Sequence, residues 1–159
     1  MLRKNFFLIT LLALAIMLSG CPLEEGEHDD TGFIPVGEWS SGFDSYTITN
    51  SNVDYFMEGS EWDGIVYPDT VLKGSIEKAV DFSNDTGVLI IKVTEGTYNT
   101  AGKYTGIYYS EYKSSSIKLS TSINADYSAA EADTLTEASS LFSSSNIGTY
   151  VSTWGSYTK

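Results

Sequence analysis

The chain has 159 residues, a formal net charge of −12 and a single cysteine. So acidic a chain is a poor candidate for binding nucleic acid or for electrostatic attachment to an anionic membrane surface. One cysteine excludes an intrachain disulfide, so the fold must be stabilised by packing. The abundance of Tyr, Thr, Ser, Ile and Val favours β-structure.

The N-terminal residues have the successive parts of a secretory signal. Arg3 and Lys4 precede an apolar segment of thirteen residues, 6–18, which ends in Leu18-Ser19-Gly20-Cys21. As a helix this segment would be roughly 20 Å long, too short for a hydrocarbon core of ~30 Å. An ordinary cleaved signal is the alternative, but it would leave Cys21 as an unpaired thiol in an oxidising compartment.

The pattern resembles the signal and lipobox of bacterial lipoproteins. The resemblance implies that residues 1–20 are a removed signal peptide, that Cys21 is acylated, with palmitate among its chains, and that these chains hold the protein on the membrane. Cleavage would leave 139 residues and remove two of the nine basic residues, taking the net charge from −12 to −14. Pro22 follows the cysteine, where enteric-type retention at the inner membrane uses Asp. We therefore expect the outer membrane of the cell envelope.

Residues 21–36 are predicted to be an acidic flexible tether, because 24–30 reads Glu-Glu-Gly-Glu-His-Asp-Asp. His28 in this run could ligate a metal, but a closed site needs several well-placed ligands. We therefore expect no metal and no other cofactor.

From Gly37 onward, short runs of alternating polarity predict strands, separated by turn residues. The predicted strands are 43–49, 53–58, 62–67, 72–82, 88–94, 104–113, 117–123 and 148–157. Residues 88–94 are nearly all apolar, so both faces of that strand are expected to be covered. Lys78 interrupts an apolar row in the fourth strand, which predicts either a bulge or an opening toward solvent. Val80 and Phe82 are predicted on the face of Leu72, and Asp81 on the opposite face. Residues 84–87 predict a hairpin turn in which Gly87 has a positive φ.

Residues 129–142 have the period of an amphipathic helix. Ser128 is the predicted N-cap, since Glu131 follows it by three residues.

These elements predict a mainly β domain over 37–159: an antiparallel eight-stranded barrel with one late helix before the last strand, or alternatively a β-sandwich. Gly37-x-Trp39 at the first strand resembles the lipocalins, which implies that Trp39 plugs one end of a barrel. The strand at Gly102-Lys103-Tyr104, the Ala-rich helix and the Tyr/Lys ending resemble small spirochaete-type lipoproteins, which implies a location and not an activity.

An enzyme is not expected. Cys21 is assigned to lipid and His28 to the tether, so a serine nucleophile would lack its usual base. A carboxylate-based glycoside hydrolase is the remaining enzymatic alternative, and its candidate acids fall at predicted turns and strand ends: Glu58, Glu61, Asp63, Asp69 and Asp85.

Two aromatic features are candidate binding sites. Tyr104, Tyr108 and Tyr112 share one face of a predicted strand, and inside a barrel they would line a cavity of at least ~300 Å³ for a small amphipathic ligand. Ile107 and Tyr109 would then point outward beneath the helix. Trp62, flanked by Glu61 and Asp63, would either bind a sugar or a cation or pack in the core.

The function expected from these features is that of a lipid-anchored, non-catalytic lipoprotein. It would bind a small amphipathic ligand or present a binding surface. The alternative is a surface adhesion lipoprotein with a protein or glycan partner.

Overall fold

The computed structural model describes residues 32–83, 85–151 and 153–159, apart from the side chain of Trp62. The predicted signal peptide, Cys21 and His28 lie outside the described residues. The strands are β1 Gly37–Ser40, β2 Asp44–Ile48, β3 Asn52–Met57, β4 Ser60–Trp62, β5 Ile65–Tyr67, β6 Thr70–Ser83, β7 Thr86–Gly96, β8 Tyr104–Lys113, β9 Ser116–Thr121 and β10 Gly155–Thr158. The helices are α1 Leu135–Leu141, a 3₁₀ turn Ser144–Asn146 and α2 Ile147–Tyr150.

Eight of the strands form a closed antiparallel barrel in the order β1-β10-β9-β8-β7-β6-β3-β2. The closure joins β1 to β10, with Ser40 opposite Thr158. The predicted eight-stranded barrel with a short helix before the last strand is therefore confirmed, and the β-sandwich alternative is wrong. Every barrel strand has two neighbours, which removes the open edges that a sandwich leaves.

The remaining strands, β4 and β5, form a separate two-stranded hairpin inserted between β3 and β6. Trp62 pairs with Ile65, so the turn consists of Asp63 and Gly64, with φ of 53° and 75°. Two successive positive φ values define a type I′ turn, for which Asp-Gly is a preferred sequence. This dipeptide was a readable signal that our single predicted strand 62–67 overlooked.

The barrel has two distinct ends. Residues 32–36, named the arm, lie at one end with Asp85 and the turns at 49–51 and 114–115, so we call it the arm end. The opposite end, named the rim, comprises residues 41–44, 58–69, 97–103 and 122–134. Gly32 donates its N–H to Ala79 O at 3.0 Å, and Trp39 Nε1 donates to Pro35 O at 2.9 Å. The final residues of the predicted tether thus pack against the barrel.

Side chains fill the interior of the barrel. Trp39 is 1% exposed, which confirms its predicted burial. The barrel core comprises Trp39, Tyr46, Ile48, Val53, Leu72, Ala79, Leu89, Ile91, Val93, Ile107, Tyr109, Ile117, Leu119 and Tyr157. Strand β7 is buried on both faces, as predicted, because Val88 and Ile90 belong to a second cluster outside the barrel.

This second cluster lies beneath α1. It contains Tyr108, Ala138 and Phe142, each at most 1% exposed. Gly106 provides space for the helix, since a Cβ there would lie 2.9 Å from Phe142 Cγ. Within the described residues, no helix has the length and apolar character needed to cross a membrane.

The helix is shorter than predicted and begins later. Its N-cap is Thr134, whose side chain accepts a hydrogen bond from Glu137 N, and not Ser128. Residues 129–132 are instead held by β-bridges, because Tyr104 and Ala132 exchange N–H···O bonds of 3.0 and 2.9 Å. The predicted strand 148–157 is also wrong over its first part, where residues 147–150 form α2.

Candidate binding rim

Our predicted orientation of the tyrosine strand is wrong. Tyr104 and Tyr108 pack in the cluster beneath α1, whereas Ile107 and Tyr109 lie in the barrel core. Alternation along a strand identifies which side chains share a face, but both faces of β8 are apolar. Nothing local therefore indicated which face was the interior.

Tyr112 does lie on the inner side, for a different reason. The pairing of β8 with β9 shifts register between Ser110 and Lys113, and Glu111 adopts a φ of 51°. This bulge reverses the alternation, so Tyr112 reaches the arm end, where its ring lies 4.6 Å from Phe33 and 6.0 Å from Trp39. The three tyrosines therefore do not line one cavity.

A second bulge places a carboxylate at the arm end. The register of β6 against β7 shifts between Ile76 and Lys78, close to the predicted position. Beyond it Val80 packs outside the barrel and Asp81 turns to the inner side, opposite to our prediction. Tyr109 Oη donates to Asp81 Oδ1 at 2.5 Å, and Phe33 N donates to the same oxygen at 3.0 Å. Burial, followed by this hydrogen bond, raises the pKa of Tyr109 well above 10.

The predicted positive φ at Gly87 is wrong as well. Gly87 lies inside β7 and is not among the glycines with positive φ. A Cβ at this position would overlap Tyr109 Oη and Val80 O, so the close approach of these atoms requires glycine.

Near the rim, Asp44 is surrounded by hydroxyl donors inside the barrel. Tyr157 Oη and Tyr55 Oη donate to Asp44 Oδ2 at 2.6 and 3.2 Å, and Ser41 Oγ donates to Oδ1. Burial is the main cause that raises the pKa of Tyr46, Tyr55 and Tyr157 above 10, and the Asp44 charge adds to it. The three phenols therefore stay protonated and able to donate hydrogen bonds. These contacts hold the side chains of the barrel interior next to the rim.

Beside Tyr55 the rim opens into a cleft of about 90 Å³. Its lining comprises Tyr55, Thr70, Leu72, Tyr98, Asn99, Thr121, Ser122, Ile123, Tyr127 and Ala129. Thr70 Oγ1 is buried and has no hydrogen-bond partner among the described residues. Sites that enclose a small molecule have ~300 Å³ or more, so this cleft accommodates a single chemical group.

Two further depressions continue from the cleft along the rim. One of about 290 Å³ is lined by Met57, Glu58, Gly59, Ser60, Tyr67, Pro68, Thr70 and Tyr98. The other, of about 280 Å³, is lined by Gly42, Phe43, Met57, Glu58, Gly59 and Ser60. They share Met57 to Ser60, and the first shares Thr70 and Tyr98 with the cleft, so the three depressions adjoin one another. We call them together the rim groove.

Exposed apolar side chains concentrate around this groove. Ten large hydrophobic side chains are exposed in the described part of the chain, and eight of them are on the rim or at the end of β3 next to it. On the rim they are Phe43, Ile65, Val66, Tyr67, Tyr98 and Tyr127, and at the end of β3 they are Phe56 and Met57. Phe43 is 86% exposed and Val66 73%. The other two, Phe33 and Val36, belong to the arm. Exposed apolar side chains gathered at one end of a domain are typical of an interaction site.

The rim is also strongly acidic. Its four segments contain eight carboxylates, namely Asp44, Glu58, Glu61, Asp63, Asp69, Asp126, Glu131 and Asp133. Lys103 is the only basic residue in the same segments, and it forms an ion pair with Asp133. Glu131 is oriented by a hydrogen bond from Thr100 N of 2.5 Å.

The five acids predicted as candidates for a glycoside hydrolase lie at opposite ends of the barrel. Glu58, Glu61, Asp63 and Asp69 are exposed on the rim, and Asp85 lies in a turn at the arm end. Asp69 Oδ1 accepts from Gly59 N at 2.7 Å and so braces the base of the hairpin. Within the described residues, no three His, Cys, Asp or Glu side chains are grouped in a way that could hold a metal ion.

The sequence singled out Trp62 as a candidate but indicated neither the hairpin that carries it nor the groove. The aromatic and apolar residues that build it come from four separate segments, and only the barrel closure brings them together. No protein-family model matches the chain, and no curated protein and no solved structure matches it.

Proposed function

We propose that this protein is a non-catalytic, lipid-anchored lipoprotein of the cell envelope whose rim groove is the binding surface for a partner. The lipobox pattern around Cys21 supports the anchor, and the clustering of exposed apolar side chains on the rim supports the binding site. Five of the eight line the rim groove itself, namely Phe43, Met57, Tyr67, Tyr98 and Tyr127. This clustering is the single observation that carries the proposal.

The path of the chain is consistent with this arrangement. The arm enters the barrel at the end opposite the rim, where Gly32 and Phe33 are hydrogen-bonded to β6. An N-terminal anchor would therefore be joined to the domain at the arm end. The rim is left as the end that carries no attachment.

A ligand enclosed within the barrel is less well supported. The interior positions are occupied by large side chains such as Trp39, Tyr46 and Tyr109, all at most 2% exposed. Tyr108, the central residue of the tyrosine hypothesis, is fully buried beneath α1. A partner that binds on the rim requires no rearrangement of either cluster.

Photo-crosslinking in intact cells tests the proposal. A photoreactive residue replaces Val66 on the rim of the full-length chain, and in a matched control it replaces Ser115, which is exposed at the arm end. We expect a discrete adduct from position 66 and none from position 115. Equal labelling at both positions, or adducts from position 115 alone, would show that the rim is not the binding surface.

A further inference from the structure

We infer that the rim groove binds an extended peptide segment whose side chains are alternately basic and apolar. This inference rests on the proposed function, because it names the chemistry of the partner for the same surface. It depends on the shape of the groove, the free edges of the hairpin and the charge of the rim.

The shape favours a linear ligand. Three depressions of about 280, 290 and 90 Å³ follow one another and share lining residues. All three are open to solvent, and none is an enclosed cavity of the kind that surrounds a compact small molecule. A chain that lays successive side chains into successive depressions matches this division better than a single rigid ligand does.

The hairpin favours a peptide over a glycan. Strands β4 and β5 pair only with each other within the described residues, so each has one edge without a strand partner. Ile65, Val66 and Tyr67 on β5 are 56, 73 and 48% exposed. An exposed apolar edge strand is a template for an added strand, in which backbone hydrogen bonds give affinity and alternate side chains enter pockets.

The charge of the rim specifies basic side chains. Apart from Asp44, which is hydrogen-bonded inside the barrel, the rim segments contain seven carboxylates and one lysine, and that lysine is already paired with Asp133. A cationic segment would be attracted to this surface and an anionic one repelled. Tyr98 and Tyr127, which line the cleft and are 62 and 80% exposed, offer ring faces on which an ammonium or guanidinium group can rest.

Fluorescence anisotropy with the full-length purified chain tests this chemistry. The probe is a labelled peptide of alternating lysine and leucine, and its matched control has glutamate in place of every lysine. We expect saturable binding of the lysine peptide that weakens as salt is raised, and no binding of the glutamate peptide. Equal binding of the two peptides would overturn the inference.

Two charge-reversal variants then locate the site. Glu58→Lys combined with Glu61→Lys alters the rim, and Glu77→Lys combined with Asp85→Lys makes the same change in net charge away from it. We expect the rim pair to weaken binding by at least ~10-fold and the control pair by less than about 2-fold. Equal losses would mean attraction to the whole acidic protein and would overturn the assignment to the groove.

The outcomes separate this inference from the function on which it rests. A crosslink at position 66 in cells, together with no binding of the lysine peptide, would refute the peptide chemistry and leave the rim as the binding surface. Binding of a neutral oligosaccharide at the rim, without binding of the lysine peptide, would lead to the same conclusion. Absence of the crosslink, with the peptide bound elsewhere, would refute both.

Discussion

Lys159 Nζ lies 4.6 Å from the centroid of the Trp39 ring, so a cation that follows the last strand covers the tryptophan of the first. The pair is directly beside the barrel closure, where Ser40 lies opposite Thr158. On its other side, Trp39 contacts Tyr112 and donates to Pro35 of the arm. The two ends of the barrel sequence are thus joined around one indole ring.

Replacement of this ring should strongly destabilise the fold. We expect Trp39→Ala to lower the free energy of unfolding by ~3–5 kcal/mol, because it leaves a cavity among residues that are almost fully buried. Lys159→Ala should cost only ~0.5–1 kcal/mol, as an exposed cation–π contact does. Urea melts measure both, with Phe43→Ala on the exposed rim as the control. A loss below about 1 kcal/mol for Trp39→Ala would contradict the central role of this ring.

Two adjacent tyrosines should respond in opposite ways to loss of the hydroxyl. Tyr108 Oη is buried and has no partner among the described residues, whereas Tyr109 Oη donates to Asp81. Tyr108→Phe should therefore leave stability unchanged or raise it by up to ~1 kcal/mol, since it removes an unsatisfied polar group. Tyr109→Phe should lower it by ~1–2 kcal/mol, because a hydrogen bond to a charged acceptor is lost.

The same denaturant melts decide between these expectations. Both variants keep the aromatic ring, so packing is nearly constant and the comparison isolates the hydroxyl. An equal loss in the two variants would mean that Tyr108 Oη has a partner, and an equal gain would mean that the contact of Tyr109 with Asp81 contributes nothing.

Alkaline pH should unfold the protein. Burial is the leading cause that raises the pKa of Tyr46, Tyr55, Tyr108, Tyr109 and Tyr157 above the ordinary value of 10.0. Above pH 10 the unfolded chain would release phenolic protons that the folded chain retains. The resulting stabilisation is complete below pH 10 and is lost as the pH rises toward the folded-state values.

Absorbance at 295 nm follows phenolate formation, and circular dichroism follows the fold. We expect these five of the 11 tyrosines to stay protonated near pH 10 and to ionise together with loss of structure at higher pH. A titration in which all tyrosines ionise near pH 10 while the β-structure persists would contradict their burial.

The anchor can be tested without any structural assumption. Cys21→Ser in the full-length chain should abolish incorporation of radiolabelled palmitate and leave the signal uncleaved by the lipoprotein signal peptidase. Ser19→Ala keeps a small residue before the cysteine and should still be labelled, which makes it the matched control. Processing and detergent partitioning of Cys21→Ser like those of the wild type would refute lipidation.

A mainly β fold could be predicted from the residues alone, because the period of two and the positions of turn residues are local properties. The sequence predicted β8 at 104–113 with the observed bounds and β7 as a strand covered on both faces. It also indicated Trp39 as a core residue. These features depend on residues that are neighbours along the chain.

The face of β8 that forms the barrel interior depends on contacts between distant parts of the chain. In β8 both faces are apolar, so Tyr108 and Tyr109 could be exchanged without violating the pattern, and the bulge at Glu111 then reverses the parity for Tyr112. The helix start was decided in the same way. Ala130 and Ala132 favour helix by propensity, but Thr105 Oγ1 and Tyr104 hydrogen-bond their backbone and hold them beside β8. Residues distant in sequence therefore set both the interior face of β8 and the start of the helix. The hydrogen bonds and burial that they supply outweigh a local secondary-structure preference of a few tenths of a kcal/mol per residue.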